Sequence, residues 1–580
     1  MNRRVALAFA GIILAVPACL VLWYIIVFGV NVVYWEDWVR VALFQKFING
    51  TMSLSDLFAQ INEHRLPFPN MVVFAIALVT RYNTVAEMFF SWILVCLTCS
   101  LLFIAYWNRL SLNRDPKLLL AFLPVPVLMF SLSQYGIILW GGGGISTYLM
   151  IFASVATFFL LQRSTKIDLS FIASLFGATV SSYSLLFGMA VWPVGLFQIS
   201  LSRDAERKAK SAFWCLACAL TVGSYLYGWT RPEWELPLDY VIEHPFIGAA
   251  YLAALVGAPF SKALLTTNGT AVFGFVLTLV GLLVVIQALK QRLLQKNGVF
   301  FSVVFFVILS SLANTIGRAG FGIERALSYW YIPITSLGLA GLYLLAVSVS
   351  RGSSGMSRRF GVHALLTLFL LGLILSYGVG WRAGQNMRYS REMDAYVLGT
   401  YRIQSDESIG EYIEYPYTSY HYPYSPATLR EQAEFLEKNG LNVFAQRTIN
   451  MSQLVEIDSD TLFALEKVND QQTPPFVVNS NQEETIKIMG WAVDRQANDA
   501  ASAVFIKIDG KLIVPTVYGL DRQDVANHLG SSRFEFCGYI AVFSSAILGA
   551  GQHTMSLIIV STDEVHYYYE RQVAYLIVIA

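Results

Sequence analysis

Two adjacent carboxylates, Glu36 and Asp37, lie in the segment "VVYWEDWVRV" directly after a long apolar stretch, among the rings of Tyr34, Trp35 and Trp38. A carboxylate can accept a hydroxyl proton as a general base, and an adjacent acidic pair also suits a divalent cation. Aromatic faces commonly line sugar sites, although an interfacial aromatic belt would explain the same rings without a function. Aromatic rings bracket Asp37 on both sides, so it is the candidate for chemistry. Glu36 is the candidate for a solvated interfacial position.

Further charged residues occur in two other polar segments, "NEHR" and "GRAGFGIERALSYWY". Arginine suits an anionic leaving group because its planar fork binds phosphate through two hydrogen bonds. Together with a carboxylate base, such a set suits transfer of a group from a phosphate to a hydroxyl. The candidates for phosphate binding are His64, Arg65, Arg318 and Arg325, and those for acceptor or sugar contacts are Glu63, Trp35 and Trp38.

Two weaker patterns have structural alternatives. The run "WGGGG" would let backbone amides approach a phosphate, but four glycines in such a turn more often serve packing or flexibility. The spacings Cys96-x-x-Cys99 and Cys215-x-x-Cys218 resemble halves of a zinc site. Both cysteine pairs lie in apolar runs, where cysteine behaves as a small hydrophobe.

The elements that carry these residues belong to a membrane protein. The 580 residues are 56% hydrophobic and only 14% charged, far from the composition of soluble proteins. The net charge of +1 gives no argument for nucleic acid or a polyanionic partner. Apolar runs predict an α-helical polytopic protein of about eleven spans, within a range of about ten to thirteen. The predicted spans are 5–30, 85–107, 117–133, 145–162, 168–184, 186–201, 211–228, 269–290, 298–314, 327–349 and 361–381.

Flanking charge sets the predicted orientation. The basic segments "MNRR", "NRLSLNRDPK", "SRDAERKAK", "KQRLLQKN" and "SRGSSGMSRR" fall on one side, which the positive-inside rule assigns to the cytoplasm. The shorter apolar runs 66–80 and 246–260 are predicted to be interfacial or re-entrant, because counting them as spans would break that rule. The acidic pair, "NEHR" and the glycine-rich turns then share the outer side.

The predicted domains are a multi-span domain (1–381), an extracytoplasmic connector with short helices (382–472) and an extracytoplasmic β-sandwich (473–580). The connector contains a predicted helix at about 426–439. Alternating runs such as "TIKIMGWAVD" and "AVFIKIDGKLIV" predict about seven to eight strands, with Asp509-Gly510 as a hairpin turn. Its aromatic residues could form a carbohydrate platform, although half-buried strand positions are the favoured explanation.

An acidic pair in the first outside loop, an amphipathic stretch, many further spans and an extracytoplasmic C-terminal domain resemble the C-type fold superfamily of integral membrane glycosyltransferases. This superfamily includes protein mannosyltransferases, lipid A aminoarabinose transferases and mycobacterial arabinofuranosyltransferases. The segments "YWEDWVRV…NEHR", "FSLSQYGIILWGGGG", "FGMAVWPVGL" and "ANTIGRAGFGIERAL" more narrowly resemble a group of largely uncharacterised bacterial membrane proteins.

The resemblance implies an inverting glycosyltransferase in a bacterial inner or plasma membrane. Its donor would be a polyprenyl-phosphate sugar, and its acceptor an extracytoplasmic glycan, lipid or protein. By position Asp37 would be the base, with Glu36 as runner-up or partner. The narrower group has an arginine where this chain has Trp330, which moves the expected phosphate contacts to Arg318 and Arg325. No cofactor is required by these residues, and a divalent cation stays open because some members of the superfamily use one.

Two other functions compete with transfer. A transporter or flippase of lipid-linked glycan would need ionisable residues within spans and inverted repeats, and the sequence shows few of the former and none of the latter. A non-catalytic polysaccharide-binding protein of the envelope would leave the acidic pair without a purpose.

Overall fold

The fold was analysed in a computed structural model, which describes residues 3–110, 116–232, 239–261, 266–351, 356–414, 425–445, 449, 451–458, 461–480 and 484–579. Parts of two predicted basic loops, 111–115 and 352–355, lie outside these residues. The chain forms two compact units. Met1–Val30 and Val39–Arg388 make up nearly all of the first, and Asn31–Trp38, Tyr389–Thr418 and Pro423–Ala580 make up the second.

The first unit is helical. Its α-helices are α1 (Arg3–Phe28), α2 (Asp37–Ile48, which begins in the second unit), α3 (Leu54–Leu57), α4 (Pro67–Thr80), α5 (Thr84–Leu110), α6 (Pro116–Leu120), α7 (Pro124–Met129), α8 (Tyr135–Ile138), α9 (Gly141–Arg163), α10 (Leu169–Ser182), α11 (Val191–Ser200), α12 (Arg207–Leu226), α13 (Tyr240–Glu243), α14 (Pro245–Gly257), α15 (Thr267–Lys290), α16 (Gly298–Arg318), α17 (Ile332–Arg351) and α18 (Met356–Gly399, which ends in the second unit).

Eight segments of the described chain are helical and apolar enough to cross a membrane. They are Arg4–Phe28, Thr84–Asn108, Leu118–Ile138, Gly141–Arg163, Arg207–Leu226, Thr267–Lys290, Gly298–Phe321 and Ile332–Ser350. Large apolar side chains on them are exposed, such as Ile12 at 66% and Leu283 at 66%. Apolar surface of this kind suits a lipid environment. The protein is therefore a membrane protein with several apolar helices.

Three of the eleven predicted spans are not among these eight. Residues 168–184 and 186–201 contain the short helices α10, of 14 residues, and α11, of 10 residues. At 1.5 Å per residue, helices of this length are shorter than a hydrocarbon core of about 30 Å. Residues 361–381 lie within the 44-residue helix α18. The runs 66–80 and 246–260 coincide with the short helices α4 and α14.

The second unit contains the helices α19 (Asp406–Tyr412), α20 (Pro426–Lys438) and α21 (Gln523–Leu529). The predicted helix at about 426–439 is confirmed by α20. Its strands are β3 (Val455–Ile457), β4 (Thr461–Val468), β5 (Phe476–Asn479), β6 (Thr485–Asp494), β7 (Asp499–Ala500), β8 (Ala503–Ile508), β9 (Leu512–Pro515), β10 (Val517–Leu520), β11 (Gly538–Ser544), β12 (Gly551–Val560) and β13 (His566–Ile579). Two further short strands, β1 (Gln60–Ile61) and β2 (His64–Arg65), form a hairpin in the first unit.

The strands of the second unit form two sheets. One has the order β10-β11-β6-β4, with β7 added to β6, and the other has the order β3-β13-β12-β8-β9, with β5 added to β13. Side chains from both sheets, among them Ile488 and Leu557, belong to one buried apolar cluster. The predicted turn at Asp509-Gly510 is confirmed, since both residues have positive φ and the turn joins the antiparallel strands β8 and β9.

Candidate functional site

The acidic pair lies at the start of α2. The backbone turns sharply before it, with the amide of Asp37 donating to the carbonyl of Tyr34 at 3.0 Å and Trp35 in the left-handed region at φ 50°. Asp37 occupies the first turn of α2, where the positive end of the helix dipole favours a carboxylate. Asp37 is only 2% exposed, whereas Glu36 is half-buried. The two acids therefore differ in environment.

The segment that carries the pair is held by residues far along the chain in the second unit. The guanidinium of Arg391 lies over the ring of Tyr34, 3.1 Å from its centroid, and pairs with Asp394 at 2.7 Å. The amide of Trp35 donates to the carbonyl of Glu414 at 3.0 Å. These contacts connect the turn before Asp37 to the polar part of α18 and to the segment that follows it.

Asp394 is 3% exposed and lies beyond residue 381, where the predicted span ends. Burial raises the pKa of Asp394 to about 7 and outweighs the opposing effect of the positive charge on Arg391. Burial alone would lower the pKa of Arg391, but the neighbouring Asp394, Tyr34 and Glu414 more than compensate. Arg391 therefore stays charged while Asp394 titrates near neutral pH.

Trp38 supplies an unusual polar group beside Asp37. Its side chain is fully buried, and its indole N–H has no hydrogen-bond acceptor among the described residues. A buried donor without an acceptor is costly, and such groups in native proteins call for a specific explanation. A hydroxyl or phosphate oxygen of a ligand would satisfy this N–H.

A second cluster lies in the first unit, at the β1–β2 hairpin. Asn62 and Glu63 form its two-residue turn, with Asn62 at φ 52°. The carboxylate of Glu63 pairs with Arg318 at the end of α16, and it lies 3.6 Å from Nε2 of His64. Glu63 and Arg318 are 8% and 7% exposed. Burial alone would raise the pKa of Glu63, but His64 and Arg318 lower it below its usual range. The sequence predicted His64 and Arg318 for phosphate binding and Glu63 for acceptor or sugar contacts, and the structure brings the three into one ion-pair network.

Arg65 has a different environment from its neighbours. Its guanidinium nitrogens donate to the backbone carbonyls of Phe58, Tyr225 and Tyr227 at 2.6, 2.8 and 2.7 Å. The hydroxyl of Tyr225 in turn donates to the carbonyl of Glu63 at 3.0 Å. Arg65 thereby joins the hairpin to the end of α12.

Arg325 is exposed, and its guanidinium lies over the ring of Trp330, 4.8 Å from the centroid. No carboxylate lies within ion-pair distance of Arg325 in the described part of the chain. Its fork is thus available to an anionic ligand. Trp330, which stands where the resemblance expects an arginine, supports Arg325 through a cation-π contact.

The four glycines of "WGGGG" form the buried first turn of α9. A Cβ on Gly141 would lie 2.5 Å from a carboxylate oxygen of Glu87, and one on Gly144 would lie 2.9 Å from the hydroxyl of Ser91. Glu87 and Ser91 belong to α5. Close packing of α9 on α5 therefore explains these glycines.

Metal ligands are not grouped in the described residues, where no set of three or more His, Cys, Asp or Glu side chains could hold an ion. All six cysteines are free thiols. The described structure therefore gives no support to a metal at the acidic pair.

The sequence-predicted residues fall into two groups. Glu63, His64 and Arg318 contact one another in the first unit, with Arg65 beside them and Arg325 on Trp330. The other four, Trp35, Glu36, Asp37 and Trp38, belong to the second unit. Sequence reasoning missed Tyr225, which gave no signal, and the Arg391–Asp394 pair. The i, i+3 spacing of that pair in the polar stretch "SREMDAY" was its signal.

No family model matches the chain. It is similar, at 25% identity over 176 residues, to a protein of Archaeoglobus fulgidus named only as an uncharacterized protein. That match covers 28% of this chain and 42% of the archaeal protein, so less than half of the relative's length is involved.

Proposed function

We propose that this protein is a membrane glycosyltransferase that moves a sugar from a polyprenyl-phosphate donor to an extracytoplasmic glycan, lipid or protein. The proposal includes about eleven spans, a cytoplasmic N-terminus and a C-terminal β-sandwich on the outer side of a bacterial membrane. The eight apolar helices and the two sheets with a common core support the coarser part of this architecture.

The observation that carries the proposal is the environment of Asp37. This carboxylate is almost fully buried at the first turn of α2, which follows the first apolar helix closely. Its neighbour Trp38 has a buried N–H without an acceptor in the described structure. The carboxylate of Asp37 can take a proton from a substrate hydroxyl. The nearby indole N–H of Trp38 can at the same time donate a hydrogen bond to another substrate oxygen.

In the proposed reaction Asp37 accepts the proton of the acceptor hydroxyl as that oxygen attacks the anomeric carbon. The bond between the anomeric carbon and the phosphate oxygen breaks, and the polyprenyl phosphate leaves with the electron pair. Attack from the face opposite the phosphate inverts the anomeric centre. Protonated Asp37 then loses its proton to solvent.

Arg325 is our first candidate for the phosphate contact. Its guanidinium is exposed and held on Trp330, and no described carboxylate neutralises it. Arg318 is paired with Glu63, so its charge is already balanced in part. Assignment of Asp37 and Arg325 to one reaction rests on the resemblance to C-type glycosyltransferases.

The test is an assay of the purified full chain in lipid nanodiscs with a panel of polyprenyl-phosphate sugars, scored for sugar transfer and donor hydrolysis. Asp37→Asn should decrease both sugar transfer and donor hydrolysis by at least about a hundredfold, the effect expected from loss of a general base. Glu36→Gln is the comparison variant: with Asp37 as the base, it should lose less activity than Asp37→Asn, because Glu36 is half-buried whereas Asp37 is buried.

Each variant must unfold at the same temperature as the wild type, so that a loss of activity cannot be caused by misfolding. The proposal fails if the folded wild type neither transfers nor hydrolyses any donor in a broad panel. It also fails if Asp37→Asn remains active.

A further inference from the structure

A cleft of about 540 Å³ opens in the second unit beside the ends of three β elements. Its walls come from the residue after β3, from the turn between β6 and β7, and from the turn between β12 and β13. The lining side chains used below are Asp458, Gln496, Ser561, Asp563, His566 and Tyr568. A volume of this size lies within the range of small-molecule sites.

The buried carboxylate of Asp494 fixes the geometry of the cleft. It has no exposed surface and accepts hydrogen bonds from the hydroxyls of Ser561, at 2.7 Å, and Tyr568, at 2.9 Å. The amides of Ala497, at 3.0 Å, and Thr562, at 3.2 Å, also donate to it. One carboxylate thus ties both turns to β13, so the polar groups of the cleft are held in place before a ligand arrives.

Several polar atoms of the lining are left for a ligand. Oε1 of Gln496 lies 3.2 Å from the hydroxyl of Tyr568, whose single proton it shares with Asp494, and the NH₂ group of Gln496 has no partner among the described residues. The carboxylate of Asp458 likewise has none. Nδ1 of His566 binds Asp563 at 2.6 Å, and this contact together with two backbone amides lowers the pKa of Asp563 to about 2. With Asp563 ionised, its carboxylate can only accept, so Nδ1 of His566 donates this hydrogen bond.

The chemistry of the lining side chains limits the class of ligand that the cleft can bind. The lining offers both a donor, the NH₂ group of Gln496, and an acceptor, the carboxylate of Asp458, and a sugar suits such a mixed lining because each of its hydroxyls both donates and accepts. Two carboxylates, Asp458 and Asp563, disfavour an anionic ligand. A metal ion is disfavoured because the described residues contain no group of three ligating side chains.

We propose that this cleft is a binding site for a neutral saccharide. Aromatic rings of the second unit offer little stacking surface in the cleft: Tyr568 lines it but is fully buried, Trp491 packs against the small core beside α21, and Tyr569 contacts Lys507 and Arg571. The site therefore recognises its ligand mainly by hydrogen bonds. Binding at this cleft does not depend on the proposed transferase activity, and either can fail without the other.

The test is calorimetric titration of the full chain in nanodiscs, which avoids the sugar headgroups of common detergents. The probes are trisaccharides of neutral glucose, mannose and galactose, with a trisaccharide of galacturonic acid as the anionic comparator. At least one neutral probe should bind, and the uronic acid probe should bind at least about tenfold more weakly because of the two carboxylates.

Gln496→Ala and Asp458→Asn should each weaken binding of the neutral probe by about tenfold, because each removes hydrogen bonds to the ligand. The matched controls Gln552→Ala and Asp470→Asn alter exposed residues that do not line the cleft, and they should leave binding unchanged. The proposal is overturned if no neutral probe binds to the folded protein. Equal binding of the anionic probe, or unchanged binding in both cleft variants, would overturn it as well.

Discussion

Asp394 should make the stability of the second unit depend on pH, and Asp394→Asn should remove that dependence. The carboxyl group is 3% exposed and has a pKa of about 7 in the folded chain, against 3.8 as its ordinary value. Because the folded pKa is the higher one, the folded state binds more protons than the unfolded state between about pH 4 and 7. Stability should therefore fall as the pH rises through this window.

The size of the effect follows from the difference in pKa. About three units at about 1.4 kcal/mol each amount to roughly 4 kcal/mol, lost between pH 4 and 7. For a cooperative unit of about 200 residues this corresponds to a decrease of roughly 10 °C in the unfolding temperature. Below about pH 4 the carboxyl is protonated in both the folded and the unfolded states, so an asparagine in its place should have little effect there.

The assay is thermal unfolding of the full chain in nanodiscs at several pH values from 5 to 8, followed by tryptophan fluorescence. The wild type should lose stability as the pH rises and Asp394→Asn should not. The unfolding temperature of the variant minus that of the wild type should therefore increase from pH 5 to pH 8. Asp406→Asn is the matched control, since Asp406 forms an exposed pair with Arg430 and such pairs contribute little. A difference between Asp394→Asn and wild type that stays constant from pH 5 to 8 would refute the reasoning, as would an opposite slope.

Three further predictions concern packing and ion pairs in the first unit. Gly274→Ala, in α15, should destabilise the protein by about 1–3 kcal/mol in thermal unfolding, because the added Cβ would meet the carbonyl of Ala253 in α14. The control Gly223→Ala adds a Cβ in open space and should be neutral or slightly stabilising. Equal effects of the two substitutions would contradict the packing of α15 on α14. Glu63→Gln should cost roughly 3–5 kcal/mol because it leaves Arg318 buried without its carboxylate. A loss no larger than that of Asp56→Asn, which breaks a half-buried pair with Lys46, would count against this. Arg65→Lys should increase hydrogen exchange of residues 58–66, since a lysine cannot reach three carbonyls at once, and unchanged protection would show that these bonds do not hold the hairpin.

Local patterns were sufficient for several elements. The turn at Asp509-Gly510 depends only on two adjacent residues that tolerate positive φ, and it was predicted correctly. Helix α20 was also predicted, and the structure shows local reasons for its start, since Ser425 caps the first turn and Pro426 suits the first position. Spans were harder to predict, since hydropathy does not reveal where an apolar run breaks into helices too short to cross a membrane.

The sequence by itself determined that this is a membrane protein, that its C-terminal part is rich in strands, and which charged residues deserved attention. Composition and periodicity carry this information, because burial in lipid or in a sheet constrains residue type along the chain. Tertiary structure alone decided which of those charges interact. Glu63 and Arg318 pair across more than 250 residues, Arg391 supports the turn before Asp37, and the glycines of α9 serve packing on α5. Contacts between residues so distant in sequence depend on how the helices pack, which no local pattern encodes.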